Sequence, residues 1–308
     1  MTVIDAHHHV WDLSVRDQDW ITGAAMARIR RTFTVDDLRP LAAAAGVEAT
    51  VMVQTVTHPA ETPEMLAVAA GSSLVAGVVG WTDLTSPGVE DALDRLATQP
   101  GSEYLVGIRH QVQSEPDPDW LRRSNVLRGL RAVAAAGLAY DVVVVPGQLP
   151  AASYAAAAVP GLTMVLDHAG KPRIGTGDLD EWAASVREFA ALPNTVCKLS
   201  GLVTEAPAGA PTRDFAPVAD VVLSAFGAAR TMFGSDWPVC LLRGDYAGVY
   251  ALAESLVAGL SAAERAAVFG GTAARVYGIG DCGNGDYDAG DDGVVDHGSG
   301  DKGAGSWR

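Results

Sequence analysis

A short run of β-branched and aliphatic residues followed by an alanine-rich helical stretch recurs along this 308-residue chain, and that alternation limits the folds open to it. The runs fall at 3–11, 49–56, 74–82, 104–110, 139–145, 163–168, 195–200 and 231–236. Helical stretches follow most of them: from Thr34, which can cap the helix, toward Gly46; around 63–70; from the Ser86-Pro87-Gly88 opening; from Trp120 to Ala136; and over 180–190, 216–226, 245–258 and 261–277. Capping signals support several of these, as in Ser261-Ala262-Ala263-Glu264. The run at 139–145 is almost unbrokenly aliphatic, as expected of a parallel strand buried on both faces. Eight strands alternating with helices over about 275 residues predict a (β/α)8 TIM barrel in the α/β class. A doubly wound open sheet would want a glycine-rich turn after its first strand, and His7-His8-His9 stands there instead.

The barrel is expected to occupy residues 1–279 as a single domain. From Gly280 the chain becomes rich in glycine and aspartate with almost no aliphatic side chains, so 280–308 is expected to be a disordered tail. A calcium loop on Asp286, Asp288, Asp291 and Asp292 would lack the EF-hand spacing and its closing glutamate. The chain carries 22 Lys and Arg against 37 Asp and Glu, a formal charge of −15, which argues against nucleic acid and anionic membrane surfaces as partners. Cys197, Cys240 and Cys282, an odd set with no C-x-x-C pair, fit a reducing compartment. With no basic-then-apolar leader before Val3, the expectation is a cytoplasmic protein acting on a small molecule, with a homo-oligomer left open.

Polar residues gather at the C-terminal ends of the expected strands, where barrels carry their chemistry: His7 and His9, Gln54, Trp81 and Asp83, Arg109 and His110, His168, Lys198 and Ser200, and Asp236. Strand alternation turns His7 and His9 to one side, with Asp5 below them, and sends His8 to the packing side. It also pairs Leu166 with His168 and sets Met232, Gly234 and Asp236 on one face. His7, His9, His168 and Asp236 together form a nitrogen and oxygen set suited to zinc or a similar divalent ion. The same groups could work without metal, Asp236 as general base toward a water and a histidine polarising a carbonyl. Arg109 and His110 have opposite parity, so one of them is expected to reach the pocket cleanly. Lys198 reads equally as a salt-bridged barrel lysine or a substrate contact.

Asp5-x-His7-x-His9, Asp167-His168-x-Gly170-Lys171-Pro172 and Phe233-Gly234-Ser235-Asp236-Trp237-Pro238, each at a strand end, resemble the amidohydrolase superfamily. Gly107-Ile108-Arg109-His110 and Gly271 to Tyr277 narrow the resemblance to its amidohydrolase-related branch, which includes hydrolases of L-fucono- and L-rhamnono-lactones. The similarity spans roughly residues 2 to 279. The resemblance implies that Asp236 activates the hydrolytic water and that His7, His9 and His168 line the site. Binuclear members use a bridging lysine or glutamate from strand four and a histidine from strand five. Here strand four ends in Arg109-His110 and strand five lacks histidine, so the expectation is one divalent metal, zinc first, or none. The implied reaction is opening of a sugar-acid lactone or similar cyclic ester. Arg109, His110 and Lys171 are then expected to contact substrate, while Trp81 and Trp237, with Trp11, would stack on a sugar ring; Trp237 reads equally as packing. Rival readings are zinc-dependent decarboxylation or C–C hydrolysis of an aromatic acid, amide or imide hydrolysis, and a non-catalytic binding module.

Overall fold

The computed structural model describes residues 2–175 and 179–280. The tail and its calcium-loop alternative, from 281 onward, lie outside the described residues. Eight parallel strands run in sequence order: β1 (Ile4–His8), β2 (Ala49–Val53), β3 (Val75–Gly80), β4 (Leu105–His110), β5 (Ala139–Val142), β6 (Met164–Leu166), β7 (Thr195–Leu199) and β8 (Thr231–Phe233). The outer layer holds α1 (Val35–Ala44), α2 (Glu61–Ala70), α3 (Val89–Ala97), α4 (Ser124–Ala135), α5 (Leu149–Ala158), α6 (Asp180–Ala190), α7 (Ala216–Phe226) and α8 (Tyr246–Leu256). Then come α9 (Ala262–Ala266), a π turn over Ala267–Gly271 and α10 (Thr272–Tyr277). This is the expected (β/α)8 barrel. Among the described residues, no helix is long and apolar enough to cross a membrane.

Two apolar layers hold it together. Ala6, Val51, Val53, Val79, Val165 and Met232 point into the barrel, where Ala273, Tyr277 and Ile279 pack against them. Met52, Val78, Ile108, Val142, Leu166 and Phe233 point outward under the helices. Strands buried on both faces have no polar stripe, which explains the near-continuous aliphatic runs. The helix α5 has no counterpart in the sequence reading, because Leu-Pro-Ala-Ala-Ser-Tyr-Ala-Ala-Ala-Ala lacks the apolar and polar alternation that reveals a surface helix. At α3, Ser86 accepts from Gly88 N–H, and the helix starts only at Val89, without the expected side-chain cap. Thr34 and Asp37 form a reciprocal capping box on α1, as Ser261 and Glu264 do on α9.

The barrel closes beyond the end of β8. Asp236 N–H donates to His7 O (2.8 Å), and His9 N–H donates to Trp237 O (2.7 Å). Along β1 the register slips: Asp5 faces Thr50 but His8 faces Met52, three residues against two. This bulge breaks the alternation, so Ala6 and His7 both face the interior. Asp5 therefore does not lie below the histidines. Its carboxylate turns to the seam and accepts from Ser235 N–H (2.8 Å), His7 N–H (3.1 Å) and the Tyr246 hydroxyl (3.1 Å). Burial lifts this carboxyl to about 6 against the pull of those donors.

Removing the Asp5 carboxylate strands three buried donors. Asp5→Ala is therefore expected to cost about 3–5 kcal/mol, read from the urea midpoint. Asp5→Asn keeps one acceptor without burying a charge and should cost clearly less. A wild-type midpoint for Asp5→Ala would remove Asp5 from the account of the seam.

Candidate active site

At the C-terminal mouth of the barrel, three imidazoles surround one carboxylate. Asp236 Oδ1 lies 3.4 Å from His9 Nε2, 3.9 Å from His7 Nε2 and 4.0 Å from His168 Nε2. Each ring is held from behind by its other nitrogen. His9 Nδ1 lies 2.7 Å from Val53 O and His168 Nδ1 lies 3.0 Å from Ser200 Oγ. His7 Nδ1 lies 3.2 Å from Asp167 Oδ1.

The backbone that aims these groups is irregular. The strands β6 and β8 end at Leu166 and Phe233, and His168 (φ 54°) and Asp236 (φ 56°) adopt left-handed conformations that swing their side chains inward. Leu166 packs under the helices while His168 lines the cavity, so the expected pairing of these two on one face does not hold. Two glycines make room. A Cβ at Gly234 would sit 2.6 Å from His7 Cβ, and one at Gly201 (φ 63°) would sit 2.4 Å from His168 Nδ1.

Beneath the mouth lies a buried charged cluster that sequence reasoning mostly missed. Arg109 Nη1 binds Asp167 Oδ2 (3.0 Å) and approaches His7 Nε2 (3.3 Å), while its Nη2 donates to Gln54 O. Lys198 contacts Asp141, Asp167 Oδ1 (3.1 Å) and His7 Nδ1 (3.2 Å). The Tyr277 hydroxyl, from α10, donates to Asp141 at 2.8 Å. Lys198 is thus a salt-bridged barrel lysine with no exposed surface. The signal for Asp167 was its place beside His168 at a strand end; alternation alone turned it away.

Burial would raise the Asp236 carboxyl, but His168, His9 and Lys171 outweigh it and hold the group below its ordinary range. Burial pushes His168 down to about 4 and His7 well below its usual range, against the pull of nearby carboxylates. For Asp167, the cations Lys198 and Arg109 together with His7 overcome burial and keep the group ionised. At neutral pH the site therefore holds the Asp236 carboxylate beside neutral His7 and His168 rings.

A cavity of about 520 Å³ opens over this centre, lined by His9, Arg109, His110, His168, Lys171 and Asp236. Arg109 and His110 both reach it, against the expectation that one would. Arg109 points to His7, whereas His110 stacks on Trp120 at 4.4 Å and lies 2.8 Å from Glu115. Lys171 pairs with Glu205 across the wall (3.2 Å).

The three tryptophans proposed for ring stacking do not line the cavity. Trp81 donates to His110 Nδ1 (3.1 Å), Trp237 is 1% exposed and packs on Phe33, and Trp11 packs between Trp20 and Phe33. Large rings at strand ends satisfy the hydrophobic seam more readily than a wet pocket. The wall instead takes Trp20 and Met26 from the first connection. His8 faces the packing side as expected, with neither ring nitrogen hydrogen-bonded, and burial holds it neutral at about 3.

The donor set fits one divalent ion. Ligand atoms of His7, His168 and Asp236 lie within 4.8 Å of one another, and the backing of each Nδ1 leaves the inward nitrogens in the arrangement that metal-binding histidines use. A second group, His7 with Asp141 and Asp167, already surrounds the Lys198 ammonium.

Comparison with known proteins agrees with this geometry. The L-fucono-1,5-lactonase of Burkholderia multivorans is 41% identical over 288 residues, covering 90% of this chain and 96% of that protein. The L-fucono-1,5-lactonase of Burkholderia ambifaria is 40% identical, covering 93% and 98%. A crystal structure of an amidohydrolase from Burkholderia multivorans with bound zinc superposes with a TM-score of 0.86 at 41% identity, covering 91% of this chain and all of that one. A family model described as Amidohydrolase matches residues 4–279. Spanned by that model from the first strand to the last helix, the chain belongs to the amidohydrolase family.

Proposed function

We infer that this protein is a hydrolase that opens a sugar-acid lactone, with Asp236 as general base. The observation that carries the reading is an ionised carboxylate ringed by three imidazoles at the floor of a polar cavity. The named activity of the two Burkholderia relatives supports the choice of substrate class. Asp236 takes a proton from water as the water oxygen bonds to the lactone carbonyl carbon. The ring C–O bond then breaks, and the proton passes to the departing ring oxygen. Arg109, Lys171 and the histidines stabilise charge on the carbonyl oxygen.

One divalent ion, zinc first, would be held by His7, His9, His168 and Asp236, and there it would polarise the carbonyl and acidify a water. The residue chemistry above serves the same carbonyl without it. The cavity also suits a neutral polyol ring better than an aromatic acid. Asp19, Glu115, Glu205 and Asp236 line the same wall as Arg109, Lys171 and Arg243, so the cavity carries no excess of positive charge to draw a substrate carboxylate. His110, held by Glu115 and Trp81, and Trp20 face the ring hydroxyls. The charge of −15 supports a small-molecule substrate over nucleic acid or membrane, and the buried free thiols of Cys197 and Cys240 support a reducing, cytoplasmic setting.

Three outcomes test this. On a panel of sugar lactones followed by proton release, the protein should be active and Asp236→Asn should lower kcat/KM by about 10³-fold without changing the thermal midpoint. No turnover of any lactone, or carbon dioxide or ammonia released from a rival substrate, would overturn the reading. Trp20→Ala should raise KM by about tenfold, the worth of a lost ring contact, with kcat nearly unchanged; an unchanged KM removes Trp20 from the substrate wall. Titration of chelator-treated protein should show one zinc per chain, lost in His168→Ala, and a second tight ion would contradict the single donor set.

A further inference from the structure

Gln113 and Glu115 line the cavity, both half-buried, from a helical turn over Val112–Ser114 that follows β4. The backbone there is braced: Gln113 N–H donates to Val143 O (3.0 Å), and Gln148 Nε2 donates to Val112 O (2.8 Å). A chain of side-chain amides running back to Arg109 decides what Gln113 has left to offer. A guanidinium only donates, so the side-chain oxygen of Gln54 faces it (3.3 Å). Gln111 Nε2 lies against that oxygen (3.1 Å) and Thr55 O (3.3 Å), two acceptors, which fixes the amide nitrogen on that side. Gln111 Oε1 therefore accepts from Gln113 Nε2 (3.1 Å). Gln113 Oε1 is left as an acceptor with no donor among the described residues.

A second chain begins at Trp81. Its indole N–H can only donate, so His110 Nδ1 is bare and the ring proton stands on Nε2, which donates to Glu115 Oε1 (2.8 Å). The stack on Trp120, with 8° between the ring planes, holds the imidazole in that position. Both nitrogens of His110 are thereby taken, and the hydrogen-bonding capacity of this wall passes to Glu115. Its second oxygen, Oε2, has no donor among the described residues.

We propose that Gln113 and Glu115 are specificity-determining residues, a pair of preset acceptors that select a substrate ring carrying hydroxyl donors. A hydroxylated ring satisfies both oxygens. An apolar ring strips them of water and leaves them unpaired, which costs more than the hydrogen bonds would have contributed. A carboxylate or phosphate substituent brings no donor, and the Glu115 carboxylate repels it. Because each oxygen is already fixed through a partner that can only donate, little side-chain ordering remains for binding to accomplish. The proposal rests on the lactonase reading for the reacting carbonyl and adds to it the residues that tell a sugar lactone from an unsubstituted one.

The test compares kcat/KM on a fully hydroxylated sugar lactone with kcat/KM on the unsubstituted six-membered lactone. In Glu115→Leu the ratio of the two should fall about 30-fold, the worth of a hydrogen bond to a charged acceptor, and in Gln113→Leu about fivefold, the worth of a neutral one. Glu115→Gln, which keeps the shape and an acceptor for His110, should lower the ratio less than Glu115→Leu does. An unchanged ratio overturns the proposal, and so does an equal loss on both substrates, the mark of a merely structural role. Calorimetry with an anhydroalditol, a ring that keeps the hydroxyls and has no carbonyl, reads the same edge without turnover. Wild type should bind it, and Glu115→Leu should bind about 30-fold more weakly; equal affinities, or no binding by wild type, overturn the proposal. Absence of lactone turnover sinks the functional reading alone, and the calorimetry then decides this one. If Glu115→Leu does not fold, Gln113→Leu and Glu115→Gln carry both comparisons.

Discussion

The site depends on how the last strand segment meets the first. Two backbone hydrogen bonds, from Asp236 to His7 and from His9 to Trp237, zip residues beyond β8 onto the end of β1. The Asp5 carboxylate, reaching Ser235, His7 and Tyr246 at once, fixes the depth of that zipper. The same contacts that close the barrel therefore set the spacing between Asp236 and the two histidines of β1. A carboxylate on a free loop would drift by ångströms. Here its own amide is bonded to the residue whose imidazole it faces.

Below the seam, the barrel interior holds Asp141, Asp167, Lys198 and Arg109, all buried. Ions taken from water cost several kcal/mol each unless paired, and a barrel filled with aliphatic side chains would avoid that cost. Each of these charges instead has a partner, and Asp167 touches Arg109, Lys198 and His7 together. Such a cluster ties a stability cost to the site, because it braces the imidazoles from behind while the Asp236 carboxylate faces the cavity. It also explains why His168 and His7 stay neutral beside so many carboxylates: burial outweighs them.

Much of this was legible in the residues. The eight short runs marked the strands to within a few positions, and strand-end histidines with Phe-Gly-Ser-Asp-Trp-Pro marked the mouth of the barrel. What escaped was everything that breaks period two. A bulge in β1 turned Asp5 away from the histidines, and left-handed backbone at His168 and Asp236 re-aimed side chains that alternation had assigned by parity. The bracing role of Asp167 and Lys198 depends on groups 31 residues apart in sequence meeting in three dimensions, which no local pattern encodes. The tryptophans misled for a related reason. A large ring beside a catalytic motif reads alike whether it lines a pocket or seals a seam, and here it seals.

The hydroxyl of Tyr277, on the last helix of the described residues, reaches Asp141 across 136 residues of sequence, and the Asp5 carboxylate reaches Ser235 across 230. No fragment emerging early in synthesis can contain both halves of either contact. A chain ending before Ser235 leaves the Asp5 carboxylate without its Ser235 and Tyr246 donors, and one ending before Tyr277 leaves Asp141 with Lys198 alone. Among the described residues, the contacts beneath the mouth of this barrel are thus completed only by its last helix.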